Sequence, residues 1–141
     1  MMRVVIVEDE VLIAWMLAEC LECAGHEVIG PAAAMAEALA LCEAAAAALP
    51  ELAVLDINLR GGSIGVDVAR ALLERWGVRS IFASSDEMLE ARRARTIALG
   101  CVRKPYRPET VLRGVEVARE VMDGRTPGHV PSGFELFSAA G

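Results

Sequence analysis

Five side chains have the types and settings that chemistry needs. Glu8 and Asp9 follow the apolar run RVVIV, Asp56 closes LAVLD, Ser84 closes SIFAS, and Lys104 follows CVR. Carboxylates can act as nucleophiles or as oxygen ligands to a hard cation. A hydroxyl can hydrogen-bond an anion, and an ammonium can stabilise negative charge as it develops. Lys104 is the one lysine of the chain, the other 13 basic residues all being arginine, so a compact point charge is used only there. Taken singly, each residue has an ordinary explanation: an acid after a strand serves turns and helix N-caps, and a lone lysine is usually a solvated charge. Their meaning depends on whether the fold brings them to one edge.

The elements that would position them alternate in period along the chain. Residues 3–7 form a short apolar run rich in β-branched side chains, which predicts a buried strand. Residues 11–24 change to helical spacing, with Ile13, Met16, Leu17, Cys20 and Ala24 predicted to face the core and Gly25 to cap the end. The same alternation predicts strands at 26–31, 52–57, 80–85 and 101–103. Helices are predicted at 33–48, 64–76, 88–99 and 108–122, the last opened by Pro108. Five βα units with continuously apolar strands predict an α/β fold, a doubly wound five-stranded parallel sheet covered on both faces. Sites in such sheets form at the carboxyl ends of the strands. Glu8, Asp9, Asp56, Ser84 and Lys104 all fall there.

Composition narrows the function classes. A chain of 141 residues has room for one domain. Much of the apolar share of 55% is alanine, and no apolar stretch reaches membrane-spanning length; the acidic start is unlike a signal peptide, and a cytoplasmic location is the expectation. Residues 1–91 carry 15 acids and 5 bases, whereas residues 92–141 carry 9 bases and 5 acids, so the net charge of -6 hides two electrostatically different parts. No basic recognition helix stands out, and nucleic acid is not an expected partner. Cys20 and Cys23 form a lone C-x-x-C with His26 nearby. Without a second ligand pair, these and Cys42 and Cys101 read as reduced structural thiols.

The quoted segments together resemble the response-regulator receiver family. VVIVEDE is similar to its first-strand acidic pair, LAVLDINL to its phosphoacceptor strand and VRKPY to its Lys-Pro segment; the resemblance covers residues 3–124. It implies a flavodoxin-like (βα)5 fold and a switch phosphorylated on Asp56 by a histidine kinase or histidine phosphotransferase. It implies Mg²⁺ held by Asp9 and Asp56, by Glu8 directly or through water, and by the Asn58 carbonyl. It assigns Lys104 and Ser84 to the phosphoryl oxygens, Asn58 and Asp86 to its approach, and a cis bond to Lys104-Pro105. Glu10 is expected to open the first helix.

The sequence departs from the family at several positions. Cys101 stands where an aromatic switch residue is usual, Ser84 where threonine is usual, and Arg60 where many relatives have proline. The stretch between Ser84 and Lys104 is slightly short. A haloacid-dehalogenase phosphohydrolase is an alternative, but its second acid two residues after the nucleophile is replaced by Asn58. A receiver belonging to a hybrid kinase or longer regulator is another. Residues 125–141 are expected to be a flexible tail, with FELF frayed, beyond a receiver domain at 1–124. The predicted fourth- to fifth-helix face, with Arg92, Arg93, Arg95, Arg103, Arg107, Arg113 and Arg119, is the expected downstream surface. At about 100° per residue, Val11, Trp15 and Ala18 are expected to form an exposed docking patch for the phosphodonor.

Overall fold

A computed structural model describes residues 2–45, 47–56, 65–84, 97–103 and 107–137, with Ser84 described for its backbone only. The elements are β1 (Arg3–Val7), α1 (Val11–Cys23), β2 (Glu27–Ala32), α2 (Met35–Ala44), β3 (Leu52–Asp56), α3 (Gly65–Trp76), β4 (Arg79–Ser84), β5 (Gly100–Arg103), α4 (Pro108–Met122) and β6 (Phe134–Leu136). The helix predicted over 88–99 lies mostly outside the described residues.

Strand alternation explains the two-sided packing. Val4 and Ile6 of β1 enter a core with α1 and α4, while Val5 and Val7 enter the opposite core with α2 and α3. Every residue of β3 is buried, as expected of a central strand covered on both faces. The sheet order is β2-β1-β3-β4-β5-β6. Strands β1 to β5 pair in parallel, so their carboxyl ends share one edge. Gly25 ends α1 at φ +94°, where its N–H donates to the Glu22 carbonyl at 3.0 Å. A side chain at that φ would be strained, so glycine is the natural terminator.

Two expectations are corrected. The predicted inward set of α1 is rotated: Ala14, Leu17, Ala18 and Leu21 are buried, while Met16 is 50% exposed. The cause is that α1 is apolar nearly all round, and its only charged side chains, Glu19 and Glu22, mark the outward side. The small Ala14 and Ala18 also let the helix approach the sheet closely. Ala18 therefore belongs to the core and not to a surface patch.

The second correction is the tail, which adds a sixth strand antiparallel to β5. Phe134 and Phe137, each 6% exposed, belong to the two opposite cores, so the segment clips over the sheet edge. Burying two phenylalanines contributes about 3–6 kcal/mol, and backbone hydrogen bonds contribute about 1 kcal/mol each. Ordering four residues costs about 4–8 kcal/mol. The strand is held near balance. A three-residue strand is too short to show a period of its own, and its partner is more than thirty positions away in the chain, which is why the sequence reads there as a frayed end.

Candidate functional site

The carboxyl edge gathers three acids. Val7 and Leu55 are register partners across β1 and β3, so Glu8, the next residue after β1, stands level with Asp56, the last residue of β3. Carboxylate oxygens of Glu8, Asp9 and Asp56 all lie within 4.8 Å of one another. Glu8 is 4% and Asp56 7% exposed, and Asp9 is half-buried.

Local backbone geometry fixes this arrangement. The Glu8 N–H donates to the Ala32 carbonyl at 2.9 Å, which ties the end of β1 to the end of β2. The Glu8 carboxylate in turn accepts the Glu10 N–H at 3.1 Å. Glu10 is the N-cap of α1 and makes no side-chain capping bond itself; it opens the helix as expected. The positive end of the α1 dipole adjoins the acids and favours their charge.

Three close carboxylates repel. A pair of unit charges about 4 Å apart costs about 4 kcal/mol at an effective dielectric near 20. A divalent cation relieves that repulsion, and the donors here are all hard oxygens, which suit Mg²⁺ completed by water. The chemistry and burial of the three residues therefore fit such an ion. Among the described residues this is the one acidic, His or Cys group compact enough to hold a metal.

The remaining predicted residues divide by position. Asp56 pairs with Ala83 of β4, so the Ser84 backbone lies one residue further along the same edge. Ser84 pairs with Arg103, the last residue of β5, and Lys104 follows it in the chain. Lys104 itself, the Lys104-Pro105 bond, Asn58 and Asp86 lie outside the described residues. Residues missed from sequence are Leu12 and Met16: with Val11 and Trp15 they are 75%, 50%, 78% and 64% exposed, respectively. The outward position of Glu19 was the signal that could have found them.

The thiols stand apart from the acidic edge. All four cysteines are free. The His26 imidazole is used structurally, its Nδ1 accepting the Met2 N–H at 3.1 Å. Burial, with a smaller contribution from Glu135 opposed by Arg103, pushes the Cys101 thiol up to about 11.

An acidic pocket at the carboxyl edge of a doubly wound sheet is a place where a hard cation can be held beside an anion. The response regulator receiver domain model matches residues 4–116, and the chain belongs to that family. It is 36% identical over 111 residues to the phyllosphere-induced regulator PhyR of Methylorubrum extorquens, covering 77% of this chain and 40% of that protein. The chain thus spans about two fifths of the curated relative's length. Among solved structures it resembles a CheY-like receiver domain protein from Methanospirillum hungatei, with TM-score 0.76 and 26% identity over 88% of this chain and 98% of that one. It also resembles the anti-anti-sigma factor PhyR from Bartonella quintana, with TM-score 0.71 and 26% identity over 87% and 50% of the two chains. This assignment disfavours the phosphohydrolase alternative. No helix among the described residues is long and apolar enough to cross a membrane.

Proposed function

We propose that the chain is a Mg²⁺-dependent phosphoacceptor switch in which Asp56 takes a phosphoryl group from a phosphohistidine donor. The observation that carries this reading is the convergence of Glu8, Asp9 and Asp56 within 4.8 Å at the carboxyl edge. An Asp56 carboxylate oxygen attacks phosphorus, the P–N bond breaks, and the donor imidazole leaves with the electron pair. Asp9 and Asp56 would hold Mg²⁺ directly, Glu8 directly or through water, with the Asn58 carbonyl as a further ligand. The ion, when bound, would offset negative charge on the acids and on the transferred group. The Lys104 ammonium pairs with one phosphoryl oxygen, and the Ser84 hydroxyl donates to another.

The donor docks beside this pocket on the exposed apolar start of α1, formed by Val11, Leu12, Trp15 and Met16. A surface aromatic among apolar neighbours is the usual composition of a contact hot spot. The receiver unit, closed at its sheet edge by β6, acts in the cytoplasm and signals by binding a downstream protein at its basic face, which includes Arg103, Arg107, Arg113 and Arg119. Incubation with acetyl phosphate and Mg²⁺, followed by intact-mass measurement, tests the reading. One added phosphoryl group per chain, removed by alkali, is expected; an unmodified chain would overturn it.

A further inference from the structure

Two glycines open a slot beside β5. A Cβ built on Gly100 would clash with the tip of the Phe134 ring and with the Glu135 carbonyl oxygen, and one on Gly114 of α4 would stand 2.9 Å from Phe134 Cδ1. The ring fills this space against the core that contains Val102, Val111 and Val115. Alongside the slot, β5 offers its backbone edge, with Gly100 opposite Leu136, Cys101 opposite Glu135 and Val102 opposite Phe134. Two hydrogen bonds close the ends: the Arg103 N–H donates to the Gly133 carbonyl at 3.2 Å, and the Phe137 N–H donates to the Leu99 carbonyl at 2.9 Å. Phe137 then folds over the other face, against the core of Phe82 and Ala98.

These contacts read a pattern. An aromatic ring enters the glycine slot, an aliphatic side chain follows two residues on, and a second aromatic follows three residues on, all in an extended chain. Main-chain bonds along a sheet edge supply affinity and side-chain pockets supply specificity, which is the logic of strand addition. The occupying strand has only three residues and is tethered through residues 124–133, most of which are exposed. Its gains and ordering cost nearly cancel, so it behaves as a tethered ligand whose occupancy depends on the tether.

We infer that the β5 edge and the Gly100–Gly114 slot form a strand-binding site for extended peptides of the pattern aromatic-x-aliphatic-aromatic, occupied in cis by the chain's own segment at residues 134–137. The site uses no residue of the acidic pocket, so its fate is independent of the phosphoacceptor reading. A partner carrying this pattern displaces β6 and takes its place.

The test is a fluorescence-anisotropy titration of a labelled synthetic peptide spanning residues 130–137 against three forms of the full chain. These are the wild type, Phe134→Ala, and Phe134→Ala with Gly114→Ala. The peptide is expected to bind Phe134→Ala about twofold more tightly than wild type, because a cis strand held near balance covers the site about half the time. The double variant is expected to lose binding, since the new methyl fills the slot while alanine favours the helix. Equal binding to the single and double variants would overturn the inference, as would affinity for Phe134→Ala no greater than for wild type. Loss of cooperative unfolding in Phe134→Ala would also overturn it, because Phe134 would then be a core residue and not a displaceable plug.

Discussion

Glu8 and Asp56 stand side by side because Val7 and Leu55, the residues just before them, are partners in parallel register. Two largely buried carboxylates and Asp9 thereby share one pocket, and the repulsion among them is built into the sheet. Mg²⁺ should consequently stabilise the fold. At a concentration about a hundred times its dissociation constant, a ligand bound only by the native state adds about 2.7 kcal/mol, enough to raise the melting temperature by several degrees. A thermal melt with and without Mg²⁺ should show this rise, and Asp9→Asn should remove most of it. An equal rise in Asp9→Asn would place the ion elsewhere.

Lys104→Arg should impair phosphorylation-linked behaviour although it preserves the charge. Arginine's planar fork cannot reproduce a compact ammonium against a single phosphoryl oxygen; outright loss of such an electrostatic partner costs roughly a hundredfold to a thousandfold, and the charge-preserving variant should lose less. Labelling rates with acetyl phosphate measure the effect. A rate equal to wild type would make Lys104 an ordinary surface base.

The α1 patch separates donor docking from chemistry. Trp15→Ala should slow transfer from a phosphohistidine protein by about thirtyfold, the rate equivalent of a 2 kcal/mol contact residue, and leave acetyl phosphate labelling unchanged. Stopped-flow transfer and small-molecule labelling, run on the same variant, make the comparison. Equal loss with both donors would indicate damage to the fold, and no loss with either would remove the patch.

Legibility differed sharply between elements. The acids at 8, 9 and 56 were readable because they follow or close two buried apolar runs, and a parallel sheet leaves one place for such ends to meet. The Gly25 stop and the Pro108 start were readable because their backbone restrictions are local. Ala18 was misplaced because α1 offers two apolar stripes, and an angle count without side-chain size cannot choose between them. The β6 strand was unreadable for a different reason. Phe134 acquires its place from Gly100 and Gly114, two residues whose contribution is the absence of a side chain.

The thiols should differ in reactivity along the same lines. Cys101 is the register partner of Glu135 in the neighbouring strand β6, and burial pushes its pKa up to about 11. At pH 8 roughly a thousandth of it is thiolate, whereas Cys23 is exposed. Alkylation at pH 8 followed by peptide mass mapping should therefore modify Cys23 first and Cys101 far more slowly, with Cys101 gaining reactivity as pH rises toward 11. Early modification of Cys101 in the native chain would contradict the pairing of β6 beside β5.

The central claim, that Asp56 is the phosphoacceptor and depends on Mg²⁺, is tested most directly by mapping the label. The chain and its Asp56→Asn variant are incubated with acetyl phosphate, each in Mg²⁺ and in excess chelator, and the phosphopeptide is identified after acid quenching. The account predicts an acid-stable, alkali-labile phosphate on Asp56 alone, formed in Mg²⁺ and absent from the variant. Labelling that persists in Asp56→Asn, or that proceeds fully in chelator, would contradict it.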